Sequence, residues 1–347
     1  MHIQDISSKE LWNGFVVSAT NDTFHQSWEW GETNLRRGNR VWYLGLVDEN
    51  NHLIAAFLTI KISARRGSFL LVPHGPLFSA SLKENPTHLA TALKTISHYL
   101  KKLGRDEHCV CVRLAPTLER NQENLALFHS AGYRNAPMFV QSELSWRLPL
   151  TPPEEDLLTN MRKSTRYILK RSDAYGLSFS SSSSIEDFDR FYTLYAETVK
   201  NQEFVGQSQA FIKEEFGVFV SSGSARLYFA QSNEGGVDLA TAMIITQGST
   251  GFYHYGASRK DEKNTPAPHL LQWNIIKDLK DRGYAYYNFW GISEDDKPNH
   301  PWRGLTVFKK GFGGEELAYL KTQDLIISPL YWIGWCIEAL RRIKRHY

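Results

Sequence analysis

VWYLGLVDENNHLIAAFLTIKI, residues 41–62, reads as two strands around a polar turn. Asp48-Glu49-Asn50-Asn51 between two apolar runs is turn chemistry, so the spacing predicts a β-hairpin. The pattern returns at residues 226–247, RLYFAQSNEGGVDLATAMIITQ, with Asn233-Glu234-Gly235-Gly236 at the turn. The segments after the two hairpins also match. GSFLLVPHGPLF (67–78) and GFYHYGAS (251–258) read as third strands. Helices are predicted from about Thr87 to Leu103, where Leu89, Leu93, Ile96 and Leu100 keep helical spacing, and from about Ala267 to Arg282. Strands come next at Cys109–Leu114 and in YAYYNFWGI (284–292). NLALFHSAGY (124–133) then corresponds to TVFKKGFGG (306–314). Closing strands are predicted near Phe139–Leu148 and in LAYLKTQ (317–323).

Strand, strand, strand, helix, strand, helix, strand is the element order of the N-acetyltransferase (GNAT) fold, and two copies in tandem are a duplication. The fold class expected is α/β with mixed sheets, as two GNAT-like acyltransferase domains. Residues 1–150 form the first. Residues 151–325 form the second, with a basic linker helix at its start, and 326–347 a C-terminal aromatic and basic helix. A chain of 347 residues is too long for one ordinary core, which agrees with two domains.

The totals exclude several classes. With 42% hydrophobic and 22% charged residues the chain is a folded protein and not a disordered one. A net charge of +3 is too mild to imply a nucleic-acid partner by itself. Three cysteines cannot make a paired framework. Cys109 and Cys111, two apart on a strand, are expected to face one core together. No further Cys or His stands at ligand spacing, so no metal is expected. The N-terminus lacks the basic start and apolar run of a signal peptide, and Leu325–Ile337, interrupted by Pro329, is too short to span a bilayer. A cytoplasmic protein is the expectation.

Three segments carry chemistry. Between Asn160 and Arg171, Arg162, Lys163, Arg166, Lys170 and Arg171 are expected on one basic helix, with Arg162, Arg166 and Lys170 in a single stripe and no acid to neutralise them. Such a stripe suits a phosphate or diphosphate, although a solvated charged face is the plainer alternative. Tyr255, near the end of the third strand of the second copy, offers a phenol to a substrate or packs in the core. Lys309 and Lys310 precede a glycine-rich turn, where a lysine can hold a phosphate or stabilise an oxyanion.

QSWEWGE (26–32), VPHGPLF, MRKSTRY (161–167), YGAS, APHLLQWNIIKDLKDRGY (267–284), YNFWGI and FKKGFGG occur in this order. Together they resemble the FemABX family of aminoacyltransferases, over roughly Phe24 to Tyr319. The chain lacks the long helical hairpin that some members insert, so it is more similar to the compact FemX type. The resemblance implies two tandem acyltransferase-like domains forming a cleft for a UDP-linked or lipid-linked muramyl peptide. It also implies a channel in the second domain for the aminoacyl end of a tRNA, with no cofactor besides that co-substrate. Carried over by position, it implies that Thr165, Arg166 and Tyr167 hold the precursor's diphosphate with Arg162 and Lys163 beside them. Tyr255 would line the cleft, and Lys309 would lie near the reacting groups. Where relatives often carry a lysine after QSWxWG this chain has Asn34, with Arg36 and Arg37 just beyond as candidates for that phosphate contact.

The implied reaction is aminolysis, in which a stem-peptide amine attacks the ester of aminoacyl-tRNA and interpeptide bridges are built. That ester is already activated, so no nucleophilic Ser or Cys is needed. The attacking amine must first lose a proton. The substrate's own carboxylate is implied as acceptor, with Asp295 and Asp296 as protein alternatives. SPLYWIGWCIEALRRIKRHY (328–347) combines aromatic residues with a basic end. That composition suits an anionic inner membrane face and equally suits an ordinary docking helix. Three rivals share parts of this reading: an acyl-CoA N-acyltransferase, a related transferase acting on another envelope polysaccharide or lipid, and a non-catalytic precursor-binding module. Neither half shows the loop with which acyl-CoA enzymes cradle a diphosphate.

Overall fold

The structure, a computed structural model, describes residues 1–347 except 65–66, 203–205, 260–263, 296–299 and 345–347. The first half builds β1 (His2–Asp5), α1 (Lys9–Ala19), α2 (Trp28–Arg36), β2 (Arg40–Val47), β3 (Leu53–Ile62), β4 (Ser68–Val72), β5 (Leu77–Phe78), α3 (Ala80–Lys83), α4 (Pro86–Asp106), β6 (Cys109–Leu114), α5 (Gln122–Ser130), β7 (Arg134–Asn135) and β8 (Leu144–Pro149). The second builds α6 (Glu154–Asn160), α7 (Lys163–Lys170), β9 (Leu177–Ser182), α8 (Phe188–Gln202), α9 (Gln209–Ser221), β10 (Ala225–Ser232), β11 (Asp238–Gln247), β12 (Thr250–Ser258), α10 (Ala267–Asp281), β13 (Tyr286–Gly291), α11 (Arg303–Lys310), β14 (Glu315–Ala318), β15 (Gln323–Ile326) and α12 (Tyr331–Lys344).

Both hairpins form as their turns dictate. Leu44 pairs with Phe57 across β2 and β3. Asp48 Oδ1 accepts the N–H groups of Asn50 and His52 at 2.9 and 2.8 Å, and Asn51 takes a left-handed φ of 62° that Asn tolerates. Leu227 pairs with Met243 across β10 and β11, whose turn places Gly235 and Gly236 at φ 79° and 64°.

The two sheets run β1-β2-β3-β4-β6-β15-β7 and β9-β10-β11-β12-β13-β8-β14, with β5 added beside β3. In this direction they are one design used twice. A hairpin and third strand are followed by a parallel step, β4 to β6 and β12 to β13. An antiparallel strand then closes each core. Those closing strands are exchanged. β8 pairs with β13, Arg147 opposite Asn288, in the second sheet; β15 pairs with β6, Leu325 opposite Val112, in the first. The chain accordingly divides into Met1–Leu144 with Glu294–Pro301 and Leu317–Tyr347, and Ser145–Ser293 with Trp302–Glu316. This differs from the cuts expected at 150 and 325. The alternation that announces a strand does not say which sheet receives it.

In the first unit Leu93, Ile96 and Leu100 of α4 pack on Leu70, Val112 and Leu325. In the second Leu271, Ile275 and Leu279 of α10 pack near Tyr287 and Phe289. Burial of each such side chain contributes about 1.5–3 kcal/mol.

One expectation fails inside β6. Its register with β4 slips between Ser68 and Phe69, which stand opposite Cys109 and Cys111. The bulge breaks the two-residue alternation. Cys109 joins the α4 core with Val112, whereas Cys111 and Arg113 line a cavity of about 290 Å³ under α12. Burial pushes the Cys111 thiol up, keeping it protonated.

α12 is docked by polar contacts. Arg113 donates through Nε and Nη2 to both carboxylate oxygens of Asp324 at 2.7 and 2.8 Å. Tyr331 donates to Asp324 at 2.9 Å, and Glu338 receives Arg113 Nη2 at 3.0 Å. Among the described residues no helix is long and apolar enough to cross a membrane.

Candidate functional site

MRKSTRY does not lie on one continuous helix. α6 ends at Asn160, Met161 is extended (ψ 156°), and Arg162 caps α7 at ψ 142°. The break lets Met161, which the basic-stripe reading ignored, enter the core. Arg162 and Lys163 are therefore exposed at the start of a two-turn helix. Thr165 is buried, Arg166 Nη1 donates to the Thr159 carbonyl at 2.5 Å, and Tyr167 is exposed with its hydroxyl accepting from Arg171. The expected stripe is thus divided between open cations and an arginine already bonded to backbone.

FKKGFGG packs directly on this corner. The Arg162 N–H donates to Gly311 O at 3.0 Å, and a Cβ on Gly311 would stand 2.8 Å from Thr165 Oγ1. Trp146 Nε1 donates to Gly313 O at 2.7 Å. Gly314 has φ 104°, and a Cβ there would meet Arg147 O at 2.4 Å. Gly313, with Asn160 O 3.2 Å from an added Cβ, and Gly314 are required because backbone passes against backbone at positive φ. Two motifs widely separated in sequence become one surface.

Lys309, in the last turn of α11, is 4% exposed, and its Nζ donates to Gly291 O at 2.6 Å. That carbonyl is presented by an irregular end of β13, where Trp290 adopts φ 68° and donates its N–H to Asn288 Oδ1. Burial pulls the Lys309 ammonium down from 10.5 to about 7, because the charged form loses water. At neutral pH the amine and the ammonium are both populated. Lys310 instead spans the Trp146 ring at 5.1 Å and reaches Glu316 at 3.8 Å.

Tyr255, on β12, is partly buried and donates to Glu215 Oε2 at 3.3 Å; Tyr195 meets it edge-on. Glu215 on α9 is wholly buried, and its other oxygen lies 2.5 Å from His254 Nε2. Sequence reasoning missed this pair. The signal was a carboxylate on an apolar helix stripe, since Ile212, Glu215, Phe216 and Phe219 share the buried face.

On α2 the amide of Asn34 is committed, donating to Trp30 O at 2.8 Å and accepting from Asn39 at 3.1 Å. Arg36 pairs with Glu32 at 2.6 Å, and the Arg37 guanidinium lies 5.7 Å from the Trp30 ring centre. Asp295 is exposed, whereas Asp296 lies outside the described residues. No group of three or more His, Cys, Asp or Glu among the described residues is placed to hold a metal.

A family model described as the FemAB family matches residues 6–145 and 224–338. The chain belongs to the FemAB family. The Lipid II:glycine glycyltransferase of Staphylococcus epidermidis is 18% identical over 392 residues, 92% of each chain. That of Staphylococcus aureus is 30% identical over 97 residues, 28% of this chain and 23% of the relative. Among solved structures, FemX superposes with a TM-score of 0.83 at 17% identity, over 96% of this chain and 99% of that one. A tandem GNAT protein from the clavulanic acid pathway gives 0.58 at 9% identity, over 94% and 99%. The expected tandem acyltransferase fold is therefore the FemAB fold found here, and α7 falls in the stretch between the two FemAB matches.

Proposed function

We propose that this aminoacyltransferase of the FemAB family moves an amino acid from aminoacyl-tRNA to the stem-peptide amine of a lipid-linked peptidoglycan precursor. The names of its relatives support both the bridge-forming reaction and the lipid-linked acceptor. The carrying observation is the interlock of α7 with the glycine turn after Lys309. It sets open cations at a helix start, suited to a diphosphate, on the turn that follows a buried amine of lowered pKa.

In this reading the uncharged stem amine attacks the ester carbonyl, forming a C–N bond and a tetrahedral oxyanion. Lys309, as ammonium, donates to that oxyanion. Collapse breaks the C–O bond, and the proton lost by the attacking nitrogen ends on the departing ribose oxygen. Lys310 neutralises nearby phosphate, Arg162, Lys163, Thr165, Arg166 and Tyr167 form the precursor-facing corner, and Tyr255 with Glu215 shapes the aminoacyl pocket. Arg36 and Arg37 are proposed as further phosphate contacts of the first unit. No cofactor is assigned besides the charged tRNA. A tRNA donor requires the cytoplasmic compartment, and α12 is proposed to touch the inner membrane face.

Incubation of the protein with a lipid-linked muramyl pentapeptide and either charged tRNA or acetyl-CoA tests this reading by mass spectrometry. Addition of an aminoacyl mass from tRNA alone is expected. Acetylation, or no product from either donor, would sink it. Arg162→Ala is expected to raise KM for the precursor roughly tenfold or more while leaving kcat within about threefold, the mark of lost uniform binding.

A further inference from the structure

On the first unit, α4 and α5 flank an open pocket of about 570 Å³. Lys94, His98 and Lys101 reach its rim from successive turns of α4, joined by His129 of α5 and Arg134 of β7. Tyr133 lies buried in its lining, and no acidic residue lines it. Other arginines are neutralised, among them Arg120 by Glu294, Arg147 by Glu315, Arg190 by Asp238 and Arg259 by Glu197. Among the described residues Lys94, Lys101 and Arg134 have no carboxylate partner. Three uncompensated cations around a concavity are complementary to an anion.

A second observation adjoins the first. The Arg134 guanidinium lies 4.7 Å from the ring centre of Trp332, the outward residue of α12. While Tyr331 and Glu338 hold the inner face of that helix, Leu330, Trp332, Ile333 and Leu340 are exposed, Leu340 by 67%. Arg341 and Lys344 stand exposed at its basic end. Arg134 therefore joins a cationic pocket to an apolar helix face. Aliphatic groups gain by entering an acyl layer and gain nothing from a solvated nucleic-acid backbone.

We infer that this pocket binds the phosphodiester headgroup of an anionic phospholipid while the outer face of α12 enters the interface, so the protein grips a membrane at two points. The inference rests on the membrane contact proposed for α12 and adds a specific lipid site to it.

Sedimentation of the full chain with vesicles of phosphatidylcholine, alone or with added phosphatidylglycerol, tests it. Removing three cations by Lys94→Gln, Lys101→Gln and Arg134→Gln is expected to weaken binding to the mixed vesicles roughly a hundredfold. Ile333→Ser with Leu340→Ser should weaken binding to both vesicle types. Lys94→Glu, at an exposed position that cannot disturb the core, should alone cost roughly tenfold or more on the mixed vesicles. If the triple variant and Lys94→Glu bind mixed vesicles like wild type while the α12 variant does not, the headgroup site is overturned and the membrane contact stands. Wild type that ignores mixed vesicles overturns both. Loss of duplex RNA binding in the triple variant, with vesicle binding intact, would reassign the pocket to nucleic acid and overturn the proposal.

Discussion

Lys309 holds an amine out of water with a backbone carbonyl as its partner, a placement that costs stability whenever the amine is charged. It titrates at about 7 in the folded protein against an ordinary 10.5. Between those values the unfolded chain keeps the proton and the folded chain does not, so unfolding free energy rises with pH across that window. Below pH 7 the full penalty is present, and above 10.5 it is absent. The gap of about 3.5 pH units corresponds to at most about 5 kcal/mol. Lys309→Met is expected to flatten that rise in urea denaturation series at pH values inside the window, and to raise stability near neutrality. Its kcat should fall by roughly 10²–10³ if the ammonium serves the oxyanion. A variant that gains stability and keeps full activity would make Lys309 a packing residue. Asp324 shows the opposite case. Asp324→Ala leaves the buried Arg113 with only the partly exposed Glu338, takes the acceptor from Tyr331, and should cost up to about 3–5 kcal/mol by denaturant titration. Arg113→Met with Asp324→Leu should recover most of the loss. The sequence singled out the lysine by its place before a glycine turn and carried no sign of its burial against the Gly291 carbonyl. Glu215 was missed although it stands in the apolar stripe of Ile212, Phe216 and Phe219, because a carboxylate reads by default as solvent-facing.

At the scale of elements, local signals were the readable ones. Both hairpins announced themselves in their turns, and α4 and α10 in their apolar spacing, since these depend on near neighbours. α7 was misjudged because Met161 breaks the helix to satisfy a core formed by distant strands. The faces of Cys109 and Cys111 were misjudged because a bulge in β6 answers to its neighbour β4. Gly314 tests the glycine turn as an element. With φ at 104° and Arg147 O at 2.4 Å from any added Cβ, Gly314→Ala should cost more than about 1 kcal/mol. It should also raise KM for the precursor, by loosening the turn that abuts α7. Thermal melts and steady-state kinetics measure the two effects.

For the whole molecule the duplication was legible and the exchange of closing strands was not. Two copies of one element order were visible because each copy repeats its own local pattern. Which copy receives β8 or β15 is decided by long-range pairing energy, to which strand alternation is silent. Residues 1–150 expressed alone lack β15, and 151–347 lack β8. Each fragment is expected to be poorly folded or aggregated, and co-expression should yield a soluble pair with native-like circular dichroism. A monomeric, cooperatively melting 1–150 would show that β6 does not need its partner.

During synthesis the same wiring sets a delay. β6 leaves the ribosome long before β15 exists, and at about 5–20 residues per second the wait is roughly 10–40 s. Throughout it, one flank of the first sheet offers bare N–H and C=O groups to any passing strand. Nascent chains of this protein should therefore lean on holding chaperones until translation has passed β15, and premature termination upstream of that strand should leave the first sheet open for good.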